Sequence, residues 1–345
     1  VTAPSLSLAE STDALRNRNP FLDCKTCIPH NAPLGEEPTL RYALAIMPIQ
    51  PGHREKENLW QLLEMARNED LGSGDVTSSI LPADLQAHAV FRARQPMVVC
   101  GCPLLEMIAV SYDGSIVTTC MSEEGQELEK GQVMAEWQGP AKHIMAAERV
   151  ALNFLQRLSG VATTTREYVR AVQDTAAGIY DTRKTTPGYR ELEKYAVRVG
   201  GGKNHRRGLY DAILVKDNHL AVLARAEGQD PIFAVGRELE RLRPYLGEHA
   251  FVELEVDDLD QLERALRVPG IDIVLLDNMS PEQLKLAVNL RDNIGLKGRL
   301  DLEASGGITL SNVRKVALTG VERISIGALT HSAQAVDIAL DIELG

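Results

Sequence analysis

The chain has 345 residues, 44% of them hydrophobic and 25% charged, with a net charge of -11. That is ample for a large core in two domains, or for one barrel with an appendage, while the acidic balance argues against a nucleic-acid binder and no apolar run approaches the roughly 20 residues that cross a bilayer. Five cysteines, odd and sparse, suit a reducing cytoplasm better than a disulfide scaffold, and no signal peptide is expected at a start that lacks a basic region followed by an apolar one.

Residues 1–50 hold six prolines and no clear periodicity, so a poorly ordered N-terminal extension is predicted. Cys24, Cys27 and His30 within it begin a metal or redox motif, but no fourth ligand or partner segment follows. Over 57–69, Leu59, Leu62, Leu63, Met65 and Ala66 recur at helical spacing and predict an amphipathic helix, closed by the loop DLGSGDVTSS. From 86 to 138, QAHAVFRAR, PMVVCG, SIVTTCM and VMAEWQG are strands divided by Gly, Pro and acidic turns, a small sheet domain with a helix or two. AKHIMAAERVALNFLQRL (141–158) is a helix leading to the next domain. Residues 225–250 read as a connection.

After Gly178 the pattern changes to apolar runs, each closing on a charged or small polar residue, with helical segments between. Their ends at Asp181, Lys216, Glu255, Asp277, Ser305 and Gly327 are 35, 39, 22, 28 and 22 residues apart. Continuous apolar runs are what doubly buried parallel strands look like, and strand-then-helix repeats at this pitch predict a parallel α/β fold. Six or seven strands fit an incomplete barrel, open on one side, whose chemistry would sit at the strand ends. A doubly wound sheet is the alternative, without a GxGxxG after a strand to support it.

Nine Lys or Arg crowd into 181–219 around Gly200, Gly201 and Gly202, in a chain that is otherwise acidic. That predicts a pocket for a small, strongly anionic ligand, with the glycines letting backbone approach it closely. Arg183 and Lys184 precede a Pro-Gly turn that would hold them over a strand-end cavity; Arg offers a fork to a carboxylate, Lys a point charge to a phosphate. His205 and Arg206 follow GGGKN, and Lys216 ends a buried run. Glu255 and Asp277 are hard carboxylates suited to magnesium, with Glu253 on the same side of its strand as Glu255. Ser305-Gly306-Gly307 and Gly327 could expose backbone N–H groups to a phosphate. Each has a plainer reading: a solvated basic loop, a core histidine, a strand-to-helix turn. His219 is expected to cap the following helix, and His143 and His331 carry no assigned chemistry.

In order, DTRKTTPGYRELEKYAVRVGGGKNHRRGLYDAILVKDNH, ELEVDDLDQL, VLLDNMSPEQL, LEASGGI and ISIGALTHS closely resemble the quinolinate phosphoribosyltransferase family, also called nicotinate-nucleotide pyrophosphorylase (carboxylating), of the type II phosphoribosyltransferases. EDLGSGDVTS and ERVALNFLQRLSGVATTT resemble it too, so the likeness covers about 57–345 and leaves 1–50 outside. The resemblance implies an open-faced α/β sandwich at 51–152, joined by the tail 333–345, and an incomplete α/β barrel at 153–332. It implies a homodimer or larger assembly with shared active sites, and transfer from phosphoribosyl pyrophosphate to quinolinate, giving nicotinate mononucleotide, pyrophosphate and carbon dioxide in NAD synthesis, with Mg2+. Arg183, His205, Arg206 and Lys216 resemble the quinolinate-binding set, and Arg149 the arginine that reaches in from the neighbouring subunit. Lys184, Glu255, Asp277, Ser305, Gly306, Gly307 and Gly327 resemble the phosphoribosyl pyrophosphate and magnesium site. Within the resemblance, Lys184, Glu255 and Asp277 are the catalytic candidates. Three other readings stand beside this one: a nicotinate-accepting relative, a Schiff-base lyase using Lys216 or Lys184, and a non-catalytic sensor on the same fold.

Overall fold

The computed structural model describes residues 49–343, except 228, 229, 248 and 249. The Cys24–Cys27 pair, His30 and the extension up to residue 48 lie outside the described residues.

The first element is α1 (His53–Asp70), which spans the predicted helix and buries Leu59 and Leu63 one turn apart. Then come β1 (Gln86–Ala93), β2 (Met97–Val98), α2 (Cys102–Tyr112), β3 (Val117–Cys120), β4 (Glu127–Leu128) and β5 (Val133–Pro140). On β1, Ala87, Ala89, Phe91 and Ala93 alternate into the core, as period two requires, and Phe91 meets Trp137 of β5 edge-on at 4.9 Å. The last strand of the chain, β12 (Ile338–Glu343), returns to pair antiparallel with β1, giving the order β12-β1-β5-β3. β2 and β4 form a separate two-stranded ribbon.

Beside this sheet Glu124 is half-buried; one oxygen accepts the Gly101 N–H at 2.7 Å and the other has no hydrogen-bond partner among the described residues. Burial pushes its carboxyl up to about 8 from an ordinary 4.5. A folded pKa above the unfolded one means that the native protein holds the extra proton, so this group's contribution falls as pH rises from 4.5 towards 8. Glu124→Gln should remove up to about 1.4 kcal/mol per pH unit of that fall. Urea unfolding of variant and parent at pH 5.5 and 7.5 measures it; parallel pH profiles would refute it.

α3 (Ala141–Val172) runs 32 residues, well past the predicted end at 158. It is the wall shared by both halves, touching the antiparallel sheet on one side and the barrel helices on the other. A Cβ on its Gly160 would lie 2.1 Å from the Gln334 carbonyl, so only glycine lets the segment leading into β12 pack this closely.

The barrel follows as β6 (Gly178–Tyr180), α4 (Arg190–Val199), β7 (Ile213–Val215), α5 (Asp217–Glu227), α6 (Pro231–Leu242), β8 (Val252–Val256), α7 (Leu259–Ala265), β9 (Ile273–Asp277), α8 (Pro281–Asn293), β10 (Asp301–Ser305), α9 (Val313–Ala317), β11 (Arg323–Ser325) and α10 (Ala328–His331). Its six parallel strands stand in the order β6-β11-β10-β9-β8-β7. β6 pairs with the last barrel strand rather than with β7, so the barrel is open between β6 and β7, as expected. Lys203 partly fills the gap: it bridges Tyr180 in parallel, donating its N–H to Ile179 O at 2.8 Å and accepting from Asp181 N at 3.1 Å.

Candidate active site

The predicted strand ends converge on the C-terminal rim of the barrel, where β8, β9, β10 and β11 end side by side. At the end of β9, Asn278 adopts a left-handed backbone (φ 53°) and donates its N–H to Ser305 O at 2.9 Å; its side-chain amide donates to Asp277 Oδ2 at 2.6 Å. Ser280 then starts α8 with a capping box to Gln283. The β10 end fits this turn only because Gly306 is glycine: its φ is 91°, and a Cβ would lie 2.1 Å from Asn278 Oδ1. Gly307 (φ 61°) has open space where a side chain would stand. Gly306→Ala should therefore cost about 1–3 kcal/mol and push Asn278 off Asp277; an unchanged denaturation midpoint would refute that.

Lys184 closes the ring. Its Cδ lies 2.9 Å from where a Cβ on Gly327 would be, and its carbonyl accepts from Thr330 Oγ1 at 2.7 Å. The first strand's loop thus lies across the last strand's end. Lys216 contacts Glu255 directly, so a residue expected among the diacid ligands and one expected at the metal are neighbours. His219 accepts the Lys216 N–H at 2.9 Å at the start of α5, the expected capping role.

The basic island separates into structural and available cations. Lys194 is fully buried against Asp181 at 2.5 Å, Arg198 pairs with Glu55 at 2.8 Å and Arg207 with Glu191 at 3.2 Å, and Arg190 donates to Thr185 and to the Arg183 and Arg207 carbonyls. The glycine run corrects the sequence reading. A Cβ on Gly200 would lie 2.6 Å from Ala162 O and one on Gly202 2.8 Å from Thr165, so these glycines let α4 close on α3 rather than admit a ligand.

The Lys203 ammonium lies over the Tyr180 ring, and Arg183 and Arg206 remain. Among the described residues each keeps a buried Nε without a hydrogen-bond partner, and the Arg206 side chain reaches only the Ala212 carbonyl, at 3.3 Å. Burial and the neighbouring Arg183 charge both depress the Arg206 guanidinium pKa. Two close cations with unused donors are unfavourable unless an anion joins them. His205 and Arg206 also line a cavity of about 480 Å³ with Arg54, Arg207 and Phe251.

Below the rim lies a charged layer that sequence reasoning missed, apart from noting Glu253. Glu253 and Glu303 are fully buried, and Glu303 accepts from Arg323 Nε at 2.6 Å. Arg323 in turn covers the Tyr180 ring at 3.8 Å. His205 Nε2 stands 2.8 Å from Glu253 Oε2, off the line a hydrogen bond needs, and 3.5 Å from Glu303 Oε1. Burial pushes Glu253 up to about 7 and also raises Glu303, while it lowers His205. A Glu inside the apolar run of β10 and an Arg at the start of the run of β11 were the available signal.

Arg157 and Glu193, also missed, brace the Arg183–Gly188 loop. Arg157 donates to Glu193 at 2.6 Å, and Glu193 accepts from the Thr186 N–H and hydroxyl. Arg149 is not brought to the rim: it is exposed on α3, and among the described residues no hydrogen bond or ion pair ties it to the others.

Two family models match the chain, quinolinate phosphoribosyl transferase N-terminal domain over residues 75–159 and C-terminal domain over 161–341. A probable nicotinate-nucleotide pyrophosphorylase (carboxylating) of Bacillus subtilis is 39% identical over 276 residues, 80% of this chain and 90% of that one. A mitochondrial quinolinate phosphoribosyltransferase (decarboxylating) of Nicotiana glauca is 37% identical over 314 residues, covering 86% and 85%. The solved structure of the nicotinate-nucleotide pyrophosphorylase from Francisella tularensis superposes with a TM-score of 0.74 at 34% identity, covering 84% of this chain and 97% of that one.

Proposed function

We propose a full assignment of the rim from one premise: this chain belongs to the quinolinate phosphoribosyltransferase family. It transfers phosphoribose from phosphoribosyl pyrophosphate to quinolinate with decarboxylation, giving nicotinate mononucleotide, pyrophosphate and carbon dioxide in NAD biosynthesis. The observation that carries the substrate assignment is the Arg183–Arg206 pair with its unused buried donors. Quinolinate has carboxylates on adjacent ring carbons, so two guanidinium forks answer it better than they answer a monocarboxylate. Lys216 adds a third cation, which it shares with Glu255.

Lys184, Ser305, Gly306, Gly307 and Gly327 take the phosphoribosyl pyrophosphate. Open space at Gly307 and the Lys184 stem against Gly327 support this. Glu255 and Asp277 offer hard oxygen atoms, and that donor set fits magnesium, which keeps substrate phosphate and water in the rest of its shell. Bound there, the ion would neutralise the departing pyrophosphate. Lys184 does the same from the β11 side. Glu255 and Asp277 also face the positive charge that grows on the ribose carbon as the pyridine nitrogen attacks. The ring so formed is a pyridinium, an electron sink next to the 2-carboxylate, so carbon dioxide leaves without a protein base, and the C2 anion left behind takes a proton from water. The protein contributes position and electrostatics.

Arg149 completes the site of a neighbouring subunit in a homodimer or larger homo-oligomer; its exposure on α3 supports this role. A reducing, cytoplasmic setting is supported by cysteine usage, odd in number and sparse. The test is release of labelled carbon dioxide from carboxyl-labelled quinolinate, with controls lacking phosphoribosyl pyrophosphate or magnesium. Release that needs both is expected. No release from folded protein would overturn the assignment.

A further inference from the structure

His205 stands between the barrel interior and the diacid site; one of its ring nitrogens is hydrogen-bonded and the other faces two buried carboxylates. Nδ1 accepts the backbone N–H of Arg206 at 2.8 Å. A nitrogen that accepts an N–H carries no proton, so in the neutral ring the proton is on Nε2. Nε2 faces inward, 2.8 Å from Glu253 and 3.5 Å from Glu303. The backbone around the ring is fixed as well: the His205 N–H donates to Asp181 Oδ1 at 2.8 Å, and Lys194 Nζ donates to the His205 carbonyl at 2.9 Å.

We propose that Glu253, Glu303 and Arg323 are positioning residues that hold His205 as its Nε2–H tautomer, so that the imidazole serves the diacid through the Arg206 backbone it carries and not by a contact of its own. The proposal rests on quinolinate being the ligand of Arg183 and Arg206. It gives the buried layer a function. Arg323 holds Glu303, Glu303 and Glu253 face the Nε2 proton, and the ring places Arg206, whose side chain keeps an unused donor.

Two other readings of the layer fail on chemistry. His205, Glu253 and Glu303 present ligand atoms within 4.8 Å of one another. A metal there would need the Nε2 lone pair, which exists only if the proton moves to Nδ1, and Nδ1 already faces the Arg206 N–H. Metal-bound histidines donate from the second nitrogen; this one accepts. An imidazolium that grips a carboxylate fails for the same reason, because its Nδ1–H would oppose that N–H donor. Burial, with Arg323 and Lys194 nearby, disfavours the cation further, against the pull of Glu303 and Asp181.

The test is long-range 1H–15N correlation on full-length protein with 15N-labelled histidine, with and without quinolinate, from pH 5.5 to 8.5. Its His205 signals are assigned by difference from His205→Gln or, should that variant not fold, from Glu253→Gln. A neutral Nε2–H tautomer at every pH, unmoved by quinolinate, is expected. A Nδ1–H tautomer, an imidazolium, or a ring nitrogen that shifts on quinolinate binding would overturn the proposal. Glu303→Gln should mix the tautomers and raise KM for quinolinate about tenfold, with KM for phosphoribosyl pyrophosphate nearly unchanged. A pure tautomer with an unchanged quinolinate KM would remove Glu303 from the role. If the parent enzyme releases no carbon dioxide from quinolinate, the substrate assignment fails, while the tautomer measurement is still decided by its own spectrum.

Discussion

Arg206→Met is expected to lower kcat/KM for quinolinate by about a thousandfold while leaving the protein at least as stable as the parent. The two halves have one cause. Arg206 is buried beside Arg183, and both keep an Nε that no group among the described residues accepts from. Without the substrate, that arrangement desolvates two like charges without pairing them, which works against folding. Quinolinate supplies the missing acceptors, so stability withheld in the free enzyme appears as binding energy. Losing a charge-assisted contact in a desolvated site costs about 2–5 kcal/mol, and the upper part of that range is a thousandfold. Methionine keeps much of the stem volume and removes the charge. Arg206→Lys should recover little, because an ammonium cannot reproduce the fork. Steady-state kinetics with either substrate varied, beside a thermal melt, decides the matter. A large drop in Tm with unchanged quinolinate kinetics would make Arg206 a structural residue and sink the assignment.

The rim was legible in the sequence because parallel strands buried on both faces read as mainly apolar runs, and each of these closes on a charged or small residue where the strand leaves the core. Asp181, Lys216, Glu255, Asp277, Ser305 and Gly327 were found in this way, and each lies at or within two residues of a strand end. What the sequence hid depends on pairing across space. Glu303 and Arg323 share a register only once β10 and β11 are side by side. Asp181 and Lys194 are 13 residues apart and meet because α4 folds back over β6. The glycine run misled because loss of a side chain serves close packing as readily as ligand access, and nothing in GGGKN says which. α3 outran its predicted end because SGVATTTREY is poor in strong helix formers; Thr163 and Thr165 return their hydroxyls to the carbonyls one turn earlier, and packing on both sides does the rest. α6 lies within a stretch read as a connection, although Asp230 before Pro231 was a usable start signal: its side chain accepts from Ile232 N.

Lys194→Met is the substitution expected to damage the fold most, by about 3–5 kcal/mol, or roughly 10 °C in Tm for a domain of this size. Lys194 and Asp181 are both fully buried, and burial alone disfavours each charge: it raises the Asp181 pKa and lowers that of Lys194. Their contact offsets that cost only while both are present. With Lys194 gone, Asp181 keeps the donors from Asn204 and the His205 N–H but loses the opposite charge, so it must take up a proton or leave the core. Either response releases the His205 carbonyl that Lys194 also holds, and with it the segment that carries Arg206. Lys194→Met should therefore lose quinolinate affinity in whatever fraction still folds, whereas Arg206→Met loses affinity in protein that folds well. Asp181→Asn in the Lys194→Met background removes the stranded charge and keeps the acceptor oxygen, so it should recover part of the stability and none of the affinity. Denaturant unfolding of the two singles and the double gives the coupling energy. Additive losses would mean that the two charges do not depend on each other, and that Asp181 and Lys194 are buried here for separate reasons.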